Sequence, residues 1–261
     1  MSAEQVRVGT AYGLGVGPGD PELITVKALG LLRRCPVLAY PAPETGDSLA
    51  RRIAAPHLRD LTPTEFPIRM PIEAARFPAQ AVYDDAADAL GAHLAAGRDV
   101  AILCQGDPFF YGSFMYLFAR LAARFAVEVV PGVSSLTACA AMLGWPLASR
   151  DDVLAVIPAP LPEAELAARD DVLAVIPAPL PEAELAARIA AVDAAAIIKL
   201  GRHLPKVRRV LTTLGLAAHA RYIARATLPE QMIRPLADVP DDDAPYFAMV
   251  LVHRRGGAVL E

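Results

Sequence analysis

Apolar positions along this chain fall into short runs, and most are separated by stretches with helical spacing. Residues 6–15 form an apolar run that ends in glycines and has the length of a strand. Asp20 and Pro21 then predict a helix start, with Asp20 as N-cap and Pro21 at the first helical position. Leu23, Val26, Leu29 and Leu32 continue its apolar pattern. Residues 36–40 read as a second strand and 48–55 as a helix. Residues 79–96 read as a long Ala-rich helix stopped by Gly97. A third apolar strand spans 99–104, a helix 114–124, a strand 127–130 and a helix 134–143. Strands that alternate with helices predict a mainly parallel α/β sheet.

The pattern changes near Gly144-Trp-Pro-Leu147. Two acidic, Pro-rich stretches follow, then a strand over 195–200 and a helix over 207–214 stopped by Gly215. Further strands span 220–226 and 246–253. The fold class expected is α/β, with two α/β domains (1–146 and 147–261) and a ligand cleft between them.

One block repeats without change. Asp151-Asp-Val-Leu-Ala-Val-Ile-Pro-Ala-Pro-Leu-Pro-Glu-Ala-Glu-Leu-Ala-Ala-Arg169 recurs at 170–188. Each copy reads as a strand followed by a Pro-initiated helix. Stacked repeat architectures need three or more copies and show drift, so a solenoid is excluded. Perfect identity instead marks a recent duplication, or a cloning or assembly artefact. One 19-residue copy removed from 261 leaves 242 residues. The expectation is that one copy fills the strand–helix slot and the other is looped out, displaced or loosely packed.

Composition refines this picture. Hydrophobic residues make up 54% and charged residues 21%, which excludes a disordered chain. Mean hydropathy of +0.35 invites a membrane reading. The excess is mostly Ala, and no run of about 20 strongly apolar residues exists, so no membrane span is expected. The start, MSAEQVRVGT, lacks the basic and apolar regions of a signal peptide, so a cytoplasmic location is expected. A net charge of −4 argues against bulk nucleic-acid binding. Cys35, Cys104 and Cys139 give neither a disulfide framework nor metal-ligand spacing.

Three glycine-rich turns carry the candidate chemistry, each between a strand and a helix. In Gly13-Leu-Gly-Val-Gly-Pro-Gly-Asp-Pro21 the spacing overlaps a dinucleotide fingerprint. Pro18 removes a backbone donor, however, and Asp20 would repel a pyrophosphate. In Gln105-Gly-Asp-Pro-Phe-Phe-Tyr-Gly-Ser113, Gly106 admits a close backbone approach. Asp107 either accepts hydrogen bonds from a ligand amine or hydroxyl, or caps the next helix. In Val130-Pro-Gly-Val-Ser-Ser135, Ser134 or Ser135 can cap a helix. Three such turns at strand carboxyl ends outline one sheet edge as a ligand cleft. The five histidines lie outside them, with His203 the best placed. The pairs Arg33-Arg34, Arg51-Arg52 and Arg208-Arg209 are either solvated faces or partners for carboxylates of an acidic substrate.

These three motifs in this order resemble the tetrapyrrole methylase family. Lys199-Leu-Gly-Arg-His203 and Arg225-Ala-Thr-Leu-Pro-Glu-Gln231 also fit. The resemblance covers nearly the whole chain apart from the extra copy. Within the family, residues 109–116 are most similar to members that methylate carbon 20 of precorrin-2 on the way to cobalamin. The resemblance implies a transferase using S-adenosylmethionine (SAM), a reduced tetrapyrrole substrate and a homodimer. The charge and hydropathy pattern leads to no nucleic-acid or membrane partner being expected, and the cysteines and histidines give no metal site. By position the resemblance places cofactor contacts on Pro18, Gln105, Gly106, Asp107, Phe110, Ser134 and Ser135, and on Leu200, Ala226 and Thr227. Gln105, Ser134 and Ala226 stand where many relatives have Gly, Thr and Gly, which weakens side-chain roles there. No catalytic base is assigned. The alternatives are action on another tetrapyrrole carbon, or a non-catalytic SAM- or tetrapyrrole-binding module.

Overall fold

The central strand of the first half is apolar on both faces because helices cover both faces of its sheet. A computed structural model of the chain describes residues 7–70, 80–143, 147–148, 152–156, 173–224, 230–240, 244–245 and 248–254. It divides into two units, Met1–Trp145 with Leu260–Glu261, and Pro146–Val259.

In the first unit, β1 (Ala11–Gly15), β2 (Val37–Pro43), β3 (Thr64–Met70), β4 (Val100–Cys104) and β5 (Val127–Val130) form one sheet in the order β3-β2-β4-β1-β5. All four pairings are parallel. Alternation along β4 shows the two-sided burial. Ala101 and Leu103 pack with α1 (Val26–Arg34) and α2 (Leu49–Ala54). Val100, Ile102 and Cys104 pack with α3 (Gln80–Ala95) and α4 (Phe114–Ala122). Every residue of β4 is buried, the mark of a central parallel strand. α5 (Ser135–Leu143) follows β5.

Two details differ from the sequence expectation. Asp20 does act as N-cap, accepting from the Glu22 N–H at 2.9 Å, but the element is only a 3-10 turn, Pro21–Leu23. Ile24 then returns to extended backbone, and Thr25 caps α1 by accepting from the Ala28 N–H at 3.2 Å. Val26 is therefore 88% exposed rather than on the apolar face. β3 was not expected at all. It carries Pro67, which lacks a ladder donor and is tolerated because β3 is an edge strand.

An ion pair joins α2 to β3, and a hydrogen bond from β2 adds to it. Arg51 Nε lies 3.1 Å from both Glu65 oxygens, and its Nη2 lies 2.7 Å from Oε1. The Tyr40 hydroxyl donates to Glu65 Oε2 at 2.5 Å. The Arg51 hydrogen bond holds the Glu65 carboxyl below its ordinary 4.5. A depressed carboxyl stabilises the fold above the unfolded value and loses that contribution as pH falls through the folded one. Glu65→Gln is expected to lower stability at pH 7 by about 0.5–1 kcal/mol, the range for partly exposed pairs. Urea titrations should show that gap closing as pH drops below 4.5.

The second unit holds a six-stranded mixed sheet in the order β10-β9-β11-β8-β7-β6. Its strands are β6 (Leu154–Val156), β7 (Leu173–Pro177), β8 (Ala194–Ile198), β9 (Ala220–Ala224), β10 (Met232–Pro235) and β11 (Ala248–His253). α6 (Glu182–Ala190) and α7 (Leu204–Thr213) supply Leu185, Ile189, Leu204, Val207 and Leu211 to its core. β10 was not expected from the sequence. It is four residues long and mostly exposed, so it lacks an apolar period.

The two copies of the repeat have different roles. The second copy supplies β7, which pairs in parallel with β8, and α6, whose Leu185 is fully buried. The first copy supplies β6, which lies antiparallel on the outer edge of β7. Leu154 faces Val175, Ala155 faces Ala174 and Val156 faces Leu173, so the repeated triplet pairs with its own twin about an alanine. Val153, just before β6, packs against the core, while 151 and 157–169 lie outside the described residues. Among the described residues, no helix is long and apolar enough to cross a membrane.

Candidate active site

The three glycine turns meet at the carboxyl edge of the first sheet, because β4, β1 and β5 are adjacent and parallel. Gly17 and Gly106 form a two-way backbone bridge. The Gly106 N–H donates to the Gly17 carbonyl at 2.8 Å and the Gly17 N–H to the Gly106 carbonyl at 3.3 Å. Both glycines have positive φ, +77° and +70°, which a side chain would strain. The third turn packs onto this bridge. A Cβ on Gly132 would sit 2.1 Å from the Gly106 carbonyl oxygen and 2.8 Å from Gly15 Cα.

Asp107 ties the turns together. Its Oδ1 accepts from the Phe109 N–H at 2.9 Å, and its Oδ2 accepts from the Gly132 N–H at 3.0 Å. The carboxylate thus closes a local turn rather than capping the next helix, which starts only at Phe114, and it also braces the β4 turn to the β5 turn. Each oxygen keeps a further lone pair for a ligand. Asp107→Ala removes two charge-assisted bonds, so a loss of about 2–4 kcal/mol is expected. Asp107→Asn keeps one acceptor and is expected to lose about half as much, as read by chemical denaturation.

The remaining candidates sort by what they expose. Gln105 and Ser135 are exposed, and Pro18, Phe110 and Ser134 are partly so. Ser134 caps α5, with its Oγ accepting from the Thr137 N–H at 3.4 Å. Phe110 stacks edge-on against Tyr111 at 5.1 Å. Tyr111 has φ +53°, an uncommon conformation for a bulky residue. Beneath the turn, burial pushes the Cys104 thiol above its ordinary 9.0, so it serves as an apolar filler. In the second unit, Leu200 is 1% exposed and packs into the core, leaving only its backbone for contact. Ala226 and Thr227 lie outside the described residues.

Gly106 leaves room for a ligand at this edge, as does the exposed Gly19. A Cβ built on Gly106 meets no atom within 4 Å, although the neighbouring Gly15 and Gly132 are packed tightly. Among the described residues, no group of three His, Cys, Asp or Glu side chains is placed to hold a metal.

Comparison with known proteins decides the family. The family model for tetrapyrrole (corrin/porphyrin) methylases matches residues 10–240. The chain belongs to the tetrapyrrole methylase family. A precorrin-2 C(20)-methyltransferase of a Sinorhizobium species is 42% identical over 95% of this chain and 96% of its own. A cobalt-precorrin-2 C(20)-methyltransferase of Salmonella typhimurium is 33% identical over 95% of this chain and 97% of its own. The solved uroporphyrin-III C-methyltransferase of Thermus thermophilus, complexed with S-adenyl homocysteine, is 22% identical. That likeness covers 94% of this chain and 97% of that one, with a TM-score of 0.41.

In this tetrapyrrole methylase the sequence exposed the three turns but not their joinery. Gly132 was part of a motif, yet nothing local showed that it donates to Asp107 across 25 positions. Gly13 was likewise legible only as a small residue. Its absent Cβ makes space for the Phe114 ring, whose Cε1 would stand 2.4 Å from such an atom.

Proposed function

We propose that this chain transfers a methyl group from SAM to carbon 20 of precorrin-2 during cobalamin synthesis. The observation that carries the reading is the meeting of three turns at one sheet edge, with open space at Gly106, in a tetrapyrrole methylase. The two relatives named for C(20) methylation match almost end to end and favour this carbon over others.

SAM fits the residues present. Pro18, Gln105, Gly106, Asp107, Phe110, Ser134 and Ser135 would hold it in the first unit. Leu200, Ala226 and Thr227 would add contacts from the second, Leu200 through its backbone. When bound, the sulfonium supplies an electrophilic methyl group. The chain itself needs to bind, orient and exclude water. The turn braces keep the edge rigid, and placing the reactants in line supplies much of the rate. Glycine at 106 permits a close approach that any side chain would block. An enamine-like carbon of the reduced macrocycle acts as the nucleophile, so no side-chain nucleophile is required. Homodimerisation and a cytoplasmic location complete this reading.

The test incubates the protein with labelled SAM and precorrin-2. Mass spectrometry should show one added methyl group and NMR should place it on carbon 20. A methyl group on another carbon would select the alternative specificity. Tetrapyrrole binding without transfer would mark a non-catalytic module.

A further inference from the structure

We propose that a cavity at the carboxyl ends of β2 and β3 binds a carboxylate arm of the tetrapyrrole, with Arg52 and Arg69 as its cationic groups. The cavity is about 280 Å³ and is lined by Tyr40, Asp47, Ser48, Arg51, Arg52 and Arg69, among others. This inference rests on the tetrapyrrole reading and names a subsite for that substrate.

Four observations carry it. First, the position is right. β2 and β3 are parallel to β4, and β2 is its direct neighbour. The cavity therefore opens on the same sheet edge as the Gly106 turn, roughly 5–10 Å along it at ~4.8 Å per strand. Second, the charges differ in how far they are already used. Arg51 is neutralised by Glu65 and forms a fixed wall. Arg69 Nη1 donates to the carbonyls of Pro43 at 3.0 Å and Gly46 at 3.3 Å, so it is held in place without meeting a carboxylate. Arg52 is exposed and has no carboxylate partner among the described residues. Third, the wall is built. Ser48 is 6% exposed, its hydroxyl donates to the Pro41 carbonyl at 2.5 Å, and it accepts from the Arg51 N–H at 3.2 Å. Tyr40 is fixed on the same wall by its bond to Glu65. Fourth, the local sign opposes the global one. Two unneutralised guanidinium groups against the single carboxylate of Asp47 make this a positive site on a chain of net charge −4. Guanidinium forks suit carboxylates because they offer paired donors in one plane.

Asp47 has a defined part in this arrangement. Its carboxylate lines the same cavity and repels an incoming arm, so it weakens binding and its neutralisation should strengthen it.

The test measures binding of uroporphyrin III, a stable octacarboxylate, by fluorescence titration, with SAH affinity measured in parallel by calorimetry. Arg52→Ala is expected to raise the uroporphyrin Kd about tenfold, with Arg52→Lys recovering part of the loss. Asp47→Asn is expected to lower the Kd two- to threefold, and SAH affinity should not change. Arg52 is exposed, so its variants should keep the wild-type circular dichroism and melting temperature. Arg69→Ala also frees the 43–46 turn and serves only as a supporting variant. Equal uroporphyrin affinity in wild type and Arg52→Ala, or no binding by either, overturns the proposal. So does a loss confined to SAH, which would assign the cavity to an amino-acid carboxylate. Methyl transfer with Arg52-independent tetrapyrrole binding overturns the subsite and leaves the function standing. Arg52-dependent porphyrin binding without methyl transfer does the reverse.

Discussion

Aspartate placed at both Leu166 and Leu185 is expected to unfold the second unit, whereas Leu166→Asp alone should keep wild-type stability. The two leucines occupy the same position in the two copies of the duplicated block. Leu185 is fully buried in the core with Ile176 and Ile189. A carboxylate there loses the leucine contacts and buries a charge without a partner, a cost of about 4 kcal/mol or more. Leu185→Asp alone should fall between the two, because the first copy carries the same 19-residue sequence and can take the slot. Moving that copy into the slot lengthens the short Ala191–Asp193 link to β8 by 19 residues. Loop closure alone puts this at about 2 kcal/mol. Urea denaturation followed by circular dichroism measures all three variants. A large loss in Leu166→Asp with near wild-type stability in Leu185→Asp would show that the first copy fills the slot. Deleting 151–169 or 170–188 gives one and the same 242-residue chain, so only marked copies can separate them. That shorter chain should fold, and in it Leu185→Asp should have its full cost.

The second large effect is expected at Gly132. In Gly132→Ala the new methyl would overlap the Gly106 carbonyl oxygen and crowd Gly15 Cα, both of them backbone atoms. Relief requires the β5 turn to move away from the β4 turn, which breaks the Gly132 bond to Asp107. A loss of about 3 kcal/mol or more combines overpacking with the broken charge-assisted bond. SAH affinity by calorimetry should fall at least tenfold, since the turns that form the proposed site separate. Gly30→Ala is the contrasting case. Gly30 lies in α1, and an added Cβ meets nothing within 4 Å. It should stabilise the chain by about 0.5–1 kcal/mol through helix propensity. Equal behaviour of the two variants would mean that the turns do not pack as described.

Much of this molecule was legible in the amino-acid order, and the legible parts share a cause. β4 reads as an unbroken apolar run because helices cover it on both sides, and Gly97 stops the helix before it. The strand at 127–130 was read to the residue, and the helices at 79–96 and 114–124 to within two residues at each end. The glycine motifs stood out because small residues at strand ends limit what else can sit there. β3 and β10 escaped because Pro67 removes a donor from one and exposure erases the period of the other.

By itself, then, the sequence determined the alternation of strands and helices, the turn motifs, the family they belong to and the presence of a duplicated unit. These are properties of neighbouring residues, set by side-chain volume, backbone freedom and polarity. The tertiary structure alone decided that Asp107 braces Gly132, that the second copy occupies the strand–helix slot, and that Arg52 and Arg69 share a cavity at the carboxyl ends of β2 and β3. Each depends on which strands lie side by side, and that order, β3-β2-β4-β1-β5 in the first sheet, follows from how helices on both faces bury the sheet rather than from any local pattern.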